Sequence, residues 1–371
     1  MRLLPISMVQ PGMRLGKAIM SEEGQTLLAV EAELSRSSIR KLIHMGYQQL
    51  YIVDKRTEDI QIKDALREET RAAVRLHLLR AYQRLHQTGD WTSGDRKSLS
   101  YAAMQSMRMI YEDLRQMHQE SEDISLMLMN RSSFSILEHL CQNALNVCVY
   151  ATRIGMIENL DEEQLFALGL GAMLHDIGNT QVPPKFLLKT TPLTPLEYEQ
   201  IQKHTEYGFR IIKEMPGIPL LSAHCALQHH EKIDGSGYPA GLTEAGIHPF
   251  AQWVGLLDAY DAMTNPRPYR PAIPPDHALE NLCTRAGTLY DREKVDMFRS
   301  RVAVYPVGLT VRLNTGQIGI VSKSNPVFKL RPVIRALTDE RGESLKQPVE
   351  IDLSRHLHIM INRIGEDAMV H

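Results

Sequence analysis

Residues 161–179, DEEQLFALGLGAMLHDIGN, decide how the rest of the chain is read. Asp161 followed by Gln164 looks like a helix start. Leu165, Leu168 and Ala172 then form an apolar stripe at helical spacing that runs into His175 and Asp176. Gly178 supplies a natural stop. A carboxylate and an imidazole at the end of such a face cost free energy to bury unless something compensates them.

The same pattern recurs in three later segments. Thr194-Pro195-x-Glu197 is a capping box with proline at the first helical position, and in the helix it starts Ile201, His204, Gly208 and Ile211 share a face. In IPLLSAHCALQHHE (218–231), Leu220, Ala223 and Leu227 lead to His230, with His229 beside it. In FAQWVGLLDAYDAM (250–263), Ala251, Val254 and Asp258 line up. Taken singly, an inward histidine is an ordinary hydrogen-bonded core residue, and a buried aspartate caps a helix or pairs with arginine. Together, imidazoles and carboxylates end four apolar faces, and metal ions would turn that desolvation cost into binding energy.

Nitrogen and oxygen donors without thiolate suit iron-, manganese- or zinc-like ions. The set His175, Asp176, His204, His229, His230 and Asp258 is too large for one tetrahedral zinc. It predicts a two-metal site with Asp176 placed to bridge. Two neighbouring metals are a standard device for phosphoester hydrolysis, since they activate water as hydroxide and neutralise charge on the phosphoryl oxygens.

Two loops extend the pattern. HHEKIDGSGYPAGL (229–242) places Asp234, Gly235, Gly237 and Tyr238 directly after the paired histidines, where backbone can approach a ligand. DAMTNPRPYRPA (261–272) offers Arg267 and Arg270 on a segment held extended by three prolines, suited to phosphates or a guanine edge.

The remainder bounds the class. The 371 residues carry a net charge of −2 with no dense basic block, so a DNA or RNA polymer partner is not indicated. No stretch reaches the apolar length needed for membrane insertion. Cys141, Cys148, Cys225 and Cys283 form no C-x-x-C pair, which favours reduced thiols and a cytoplasmic location. Short alternating segments predict an N-terminal α+β accessory module over 1–56. Residues 57–131 read as a helical connector, which either carries a signal or a homodimer contact or is a plain linker bundle. Residues 132–300 form the helical catalytic domain. Residues 301–371 are β-rich, with a hairpin around Asn314-Thr315-Gly316.

HDIG (175–178), VPPKFLLK (182–189), LTPLEYEQIQKHTEYGFRII (193–212), HHEKIDGSGYPAGL and LDAYDAMTNPRPYRPA (257–272) stand in the order and spacing of one family. The segment resembles the HD-GYP domain, a branch of the HD metal-dependent phosphohydrolases. The resemblance implies a mainly α protein with an all-helical HD-type core, and two or three divalent metals of the iron or manganese type. It implies hydrolysis of the bacterial second messenger cyclic di-GMP to pGpG, and in some members of the family on to GMP. His175, Asp176, His204, His229, His230 and Asp258 are then metal ligands. Tyr238, Arg267 and Arg270, with Asp234 and Gly237 of the same loop, are ligand contacts, and His175, Asp176 and position 179 are catalytic.

Two positions depart from that pattern. In NALNV (143–147), Asn143 stands where the family has its first metal histidine, and His139, one helical turn earlier, is a replacement donor. Asn179 stands where the family usually has lysine, and losing such a charge-assisted contact costs about 1.5–3 kcal/mol. An alternative follows from these two residues: a degenerate domain that binds cyclic di-GMP or a protein partner with little or no hydrolysis. A phosphohydrolase acting on another nucleotide is a further reading.

Overall fold

Local capping sets the helix starts read from the sequence. Asp161 accepts the Gln164 N–H at 2.8 Å and the Gln164 side chain returns to the Asp161 N–H at 3.3 Å. Thr194 and Glu197 do the same at 3.3 and 2.8 Å. The computed structural model describes residues 1–21, 25–47, 49–62, 64–88, 92–118, 135–265, 272–325, 327–365 and 368.

In chain order the elements begin with β1 (Arg2–Pro5), β2 (Ile19–Met20), β3 (Thr26–Leu28), α1 (Arg36–His44) and β4 (Gln49–Ile52). The helices α2 (Glu68–Thr88), α3 (Ser93–His118), α4 (Ile136–Ile157) and α5 (Glu162–Leu174) follow. Next come α6 (Pro184–Leu187), α7 (Pro195–Gln202), α8 (His204–Lys213), α9 (Leu220–Gln228), α10 (Pro249–Thr264), α11 (Pro275–Cys283) and α12 (Arg292–Arg301). The chain closes with β5 (Thr310–Leu313), β6 (Ile318–Lys323), β7 (Val333–Thr338), β8 (Ser344–Asp352) and β9 (Ile361–Ile364). The protein is mainly α, with a small C-terminal antiparallel sheet of order β8-β7-β6-β5-β9. Its β5–β6 hairpin turns at the expected Asn314-Thr315-Gly316, where Gly316 has φ +92°.

Helices α2 and α3 are part of the main core. Leu78, Tyr82, Leu85, Met107, Ile110 and Leu114 pack in one apolar cluster with residues of α4, α5, α9 and α10. The N-terminal strands and α1 build a separate small core around Leu15, Leu34 and Leu50. That module docks on the C-terminal sheet. The Thr310 hydroxyl donates to the Leu3 carbonyl at 2.7 Å, and Ile60 packs against Ile320 and Leu337.

Two expectations change. The helix predicted from Thr194 is broken at Lys203, because the carbonyls of Ile201 and Gln202 are taken by the His204 ring and the Thr205 hydroxyl. Gly178 does not end α5, which stops at Leu174. It lies inside a 3-10 turn, Ile177–Gln181, where a Cβ would sit 1.9 Å from the His204 carbonyl oxygen. Glycine there lets α8 lie directly on the His175-Asp176 turn. Gly255 does the same for α10, since a Cβ would fall 2.2 Å from the His229 carbonyl.

Candidate metal centre and cavity

These close approaches bring the ends of α5 and α9, the start of α8 and the middle of α10 to one point. His175, His204 and His229 are each at most 2% exposed. The ring Nδ1 of each lies against a backbone carbonyl: Ala172 at 2.8 Å, Ile201 at 2.7 Å and Ala226 at 2.9 Å, respectively. A carbonyl only accepts, so Nδ1 carries the proton and in the neutral ring Nε2 offers its lone pair to the cluster.

Asp176 stands at the centre with its two oxygens facing different ways. Oδ1 lies 3.3 Å from His204 Nε2 and 3.7 Å from His229 Nε2, and these two nitrogens are 3.4 Å apart. With His230 this set has its donor atoms within 4.8 Å of one another, a group able to hold a metal ion. Oδ2 faces His175 Nε2 at 3.7 Å, and Asp258 Oδ1 approaches the same nitrogen at 3.6 Å. The cluster therefore has an imidazole pole and an acidic pole that share Asp176.

Electrostatics follow the geometry. Burial pulls His204 down to about 4 and His230 well below its ordinary value, so both rings are neutral and ready to coordinate. Burial also opposes the charged form of His175, but the Asp176 and Asp258 carboxylates more than reverse it, pushing the ring up to about 9. For Asp176, burial opposes ionisation and the surrounding imidazoles outweigh it, holding its carboxyl well below the usual range. The acidic pole is thus a place that favours positive charge.

Asn143 on α4 lies against that pole. Its amide donates to Asp258 Oδ1 at 3.0 Å and to Asp261 Oδ2 at 2.9 Å. Asp261 Oδ1 also accepts from Asn146 and from Asn265, both at 2.7 Å. Two buried atoms have no hydrogen-bond partner here: His175 Nε2 and Asn143 Oδ1. An orphaned amide oxygen and a ring nitrogen that favours positive charge, beside two carboxylates, are what a bound cation would satisfy, so the residues fit the metals that the sequence implies.

A cavity of about 490 Å³ opens over the cluster. Asp176, His204, His230 and Asp258 reach it, and His139, Asn143, Asn179 and Tyr238 line it. The Tyr238 ring stacks on His230 with centroids 4.7 Å apart. Asn179 is buried, and its backbone N–H donates to the Asp176 carbonyl at 3.0 Å. The six predicted metal residues thus converge, with His139 one turn from Asn143 on the cavity wall. Asp234 does not line the cavity. Its carboxylate closes an exposed turn by accepting the Ser236 N–H and hydroxyl at 2.9 and 2.6 Å. Gly237 is needed for close packing, since a Cβ would lie 2.4 Å from the Lys232 nitrogen. Arg267 and Arg270 fall outside the described residues.

Sequence reasoning missed Asp261, Asn146 and Asn265. A signal was available: Asp258/Asp261 and Asn143/Asn146 are matched pairs three residues apart, which places both members on one helical face. It also missed buried Glu231, whose carboxylate accepts the Ala240 and Leu242 N–H groups at 2.8 and 2.9 Å and so pins the loop that carries Tyr238. Lys189 was missed too. It lines the cavity with its ammonium held by Glu197 at 2.5 Å.

Residues 127–293 match the HD domain family, and residues 310–369 match the KOW domain associated with HD domain. The chain is 30% identical over 218 residues to cyclic di-GMP phosphodiesterase PA4108 of Pseudomonas aeruginosa, covering 59% of this chain and 52% of that one. It is 42% identical over 149 residues to a cyclic di-GMP phosphodiesterase of Thermotoga maritima, covering 40% of this chain and 39% of that one. It is 35% identical over 147 residues to 3'3'-cGAMP-specific phosphodiesterase 3 of Vibrio cholerae, covering 40% and 32%. The chain spans about half the length, or less, of these relatives. Among the described residues, no helix is long and apolar enough to cross a membrane.

Proposed function

We propose that this protein is a metal-dependent phosphodiesterase that hydrolyses a cyclic dinucleotide, cyclic di-GMP first among them, to a linear dinucleotide and on to GMP. The observation that carries the reading is the pair of poles sharing Asp176 at the floor of a ligand-sized cavity. His204, His229 and His230 with Asp176 Oδ1 would hold one cation, and His175, Asp176 Oδ2 and Asp258 a second. The donor set suits iron or manganese. Bound there, the metals would lower the pKa of water to supply hydroxide near neutral pH and offset charge on the phosphoryl group.

The chain's own residues do the rest. The backbone carbonyls of Ala172, Ile201 and Ala226 hold three imidazoles in the tautomer that points Nε2 at the centre. Tyr238 presents a ring for a nucleobase or sugar to pack on, and its position is fixed by the stack on His230. Asn179 supplies a neutral donor at the cavity wall, a weaker contact to phosphate than an ammonium would give. A volume of about 490 Å³ is in the range of small-molecule sites. The free thiols of Cys141, Cys148, Cys225 and Cys283, without a disulfide among them, support a reduced, cytoplasmic working place.

The phosphodiesterase names of the relatives favour hydrolysis over binding alone. Anaerobically purified protein, loaded with Fe²⁺ or Mn²⁺ and given cyclic di-GMP and 3'3'-cGAMP side by side, should release linear product from at least one. Absence of product from both, at full metal loading, overturns the reading.

A further inference from the structure

The two poles differ in donor chemistry, and the difference centres on Asn143. The imidazole pole offers three ring nitrogens and one carboxylate oxygen from Asp176, His204, His229 and His230. The acidic pole offers one ring nitrogen, His175 Nε2, beside Asp176 Oδ2 and Asp258 Oδ1. Among the described residues, the Asn143 amide also faces it. Its orientation is fixed by two acceptors, since a reversed amide would set Oδ1 against the Asp258 and Asp261 carboxylates. The donor that Asn143 can give a cation is therefore its buried, unpartnered Oδ1, a hard amide oxygen.

Asn143 also competes with a cation at this pole. Asp258 Oδ1, the oxygen nearest His175 Nε2, already accepts the Asn143 N–H at 3.0 Å. Asp261 next to it also accepts amide donors from Asn143, Asn146 and Asn265. Imidazole suits zinc, iron and similar ions, whereas carboxylate and carbonyl oxygens suit magnesium and manganese.

We infer that Asn143 makes the metal centre unequal: the imidazole pole retains one divalent transition-metal ion, and the acidic pole takes a hard, exchangeable cation such as Mn²⁺ or Mg²⁺. This rests on the two-metal reading above but not on turnover. The acidic pole binds on the order of 10–100-fold more weakly than an imidazole-completed one, the range seen when support of a metal ligand is lost.

The test uses the full chain, stripped by chelation and titrated with Mn²⁺ alone, with bound metal counted by elemental analysis and free Mn²⁺ by electron paramagnetic resonance. Two classes should appear, one equivalent surviving dialysis against metal-free buffer and a second lost by it. Asn143→His should retain both equivalents, its second constant tightening by about 10–100-fold. Two equal, retained equivalents in the unsubstituted protein overturn the inference. So does a well-folded Asn143→His, checked by circular dichroism and melting, that still retains one. The unsubstituted titration stands even if the variant fails to fold. Unequal sites without hydrolysis would refute the proposed activity and leave this inference intact, and hydrolysis with equal sites would do the reverse.

Discussion

The seam between the N-terminal module and the C-terminal sheet treats its polar groups in the opposite way to the cavity floor. At the seam, the Arg335 guanidinium donates to the Arg56 carbonyl at 3.1 Å, to Asp59 Oδ2 at 2.7 Å and to Glu350 Oε1 at 2.9 Å. The Leu3 N–H and carbonyl both find partners on the segment 308–310. At the floor, the ring nitrogens of His204 and His229 face each other, and among the described residues two buried atoms lack a hydrogen-bond partner. Satisfied polar groups dock one part of a molecule on another. Converging unsatisfied ones mark a place where something else binds.

The comparison is broken most severely at Asp176, the residue both poles share. Asp176→Ala should lose both cations by elemental analysis and all measurable turnover. Retention of one tightly held equivalent would show that the poles are not joined through this carboxylate. Removing metal by chelation should come next in size. An ion present at 100 times its dissociation constant stabilises the fold by about 2.7 kcal/mol, read as a fall in melting temperature that returns on reloading.

The pH dependence of the metal-free protein sharpens the contrast. His175, raised to about 9 in the fold, gives stability that is full below about pH 6.5 and is lost as pH rises through 9, on the order of 3 kcal/mol. His204, lowered to about 4, gives stability that is present above about pH 6.5 and is lost as pH falls toward 4. Denaturant titrations should therefore show metal-free stability falling on both sides of about pH 6.5. Metal loading should remove the alkaline loss, because a cation replaces the His175 proton. A flat alkaline limb in the stripped protein would contradict that assignment.

The smallest effect is expected at the seam. Arg335→Ala opens hydrogen bonds whose acidic partners are largely exposed, so the melting midpoint should fall by only roughly 2–4 °C. Metal content should not change. A loss of bound metal in that variant would mean that the seam and the floor are coupled.

Much of this was legible from the chain because helical periodicity carries direction. Leu165, Leu168 and Ala172 aim His175 and Asp176 inward, and the capping residues at Asp161 and Thr194 fix where the helices begin. What periodicity did not carry was contact between elements. The role of Gly178 depends on α8 lying 1.9 Å from a Cβ that is not there, and nothing local in DIGN says so. The Asn143–Asp258–Asp261 network spans 115 to 118 residues of sequence, so it appears only once α4 and α10 are packed together. The turn at Asp234 is a related case, since a glycine-rich loop suggests a ligand contact but does not say that the carboxylate also accepts from its own Ser236.

The most direct test of the account is product formation from cyclic di-GMP and 3'3'-cGAMP by anaerobically metal-loaded protein, run beside Asp176→Ala and His229→Ala. The account predicts linear product from the unsubstituted protein with at least one of the two, and none from Asp176→Ala. It predicts a loss of both metal and rate in His229→Ala. Unchanged hydrolysis by either variant, or no hydrolysis of either nucleotide by a fully loaded unsubstituted protein, would contradict it.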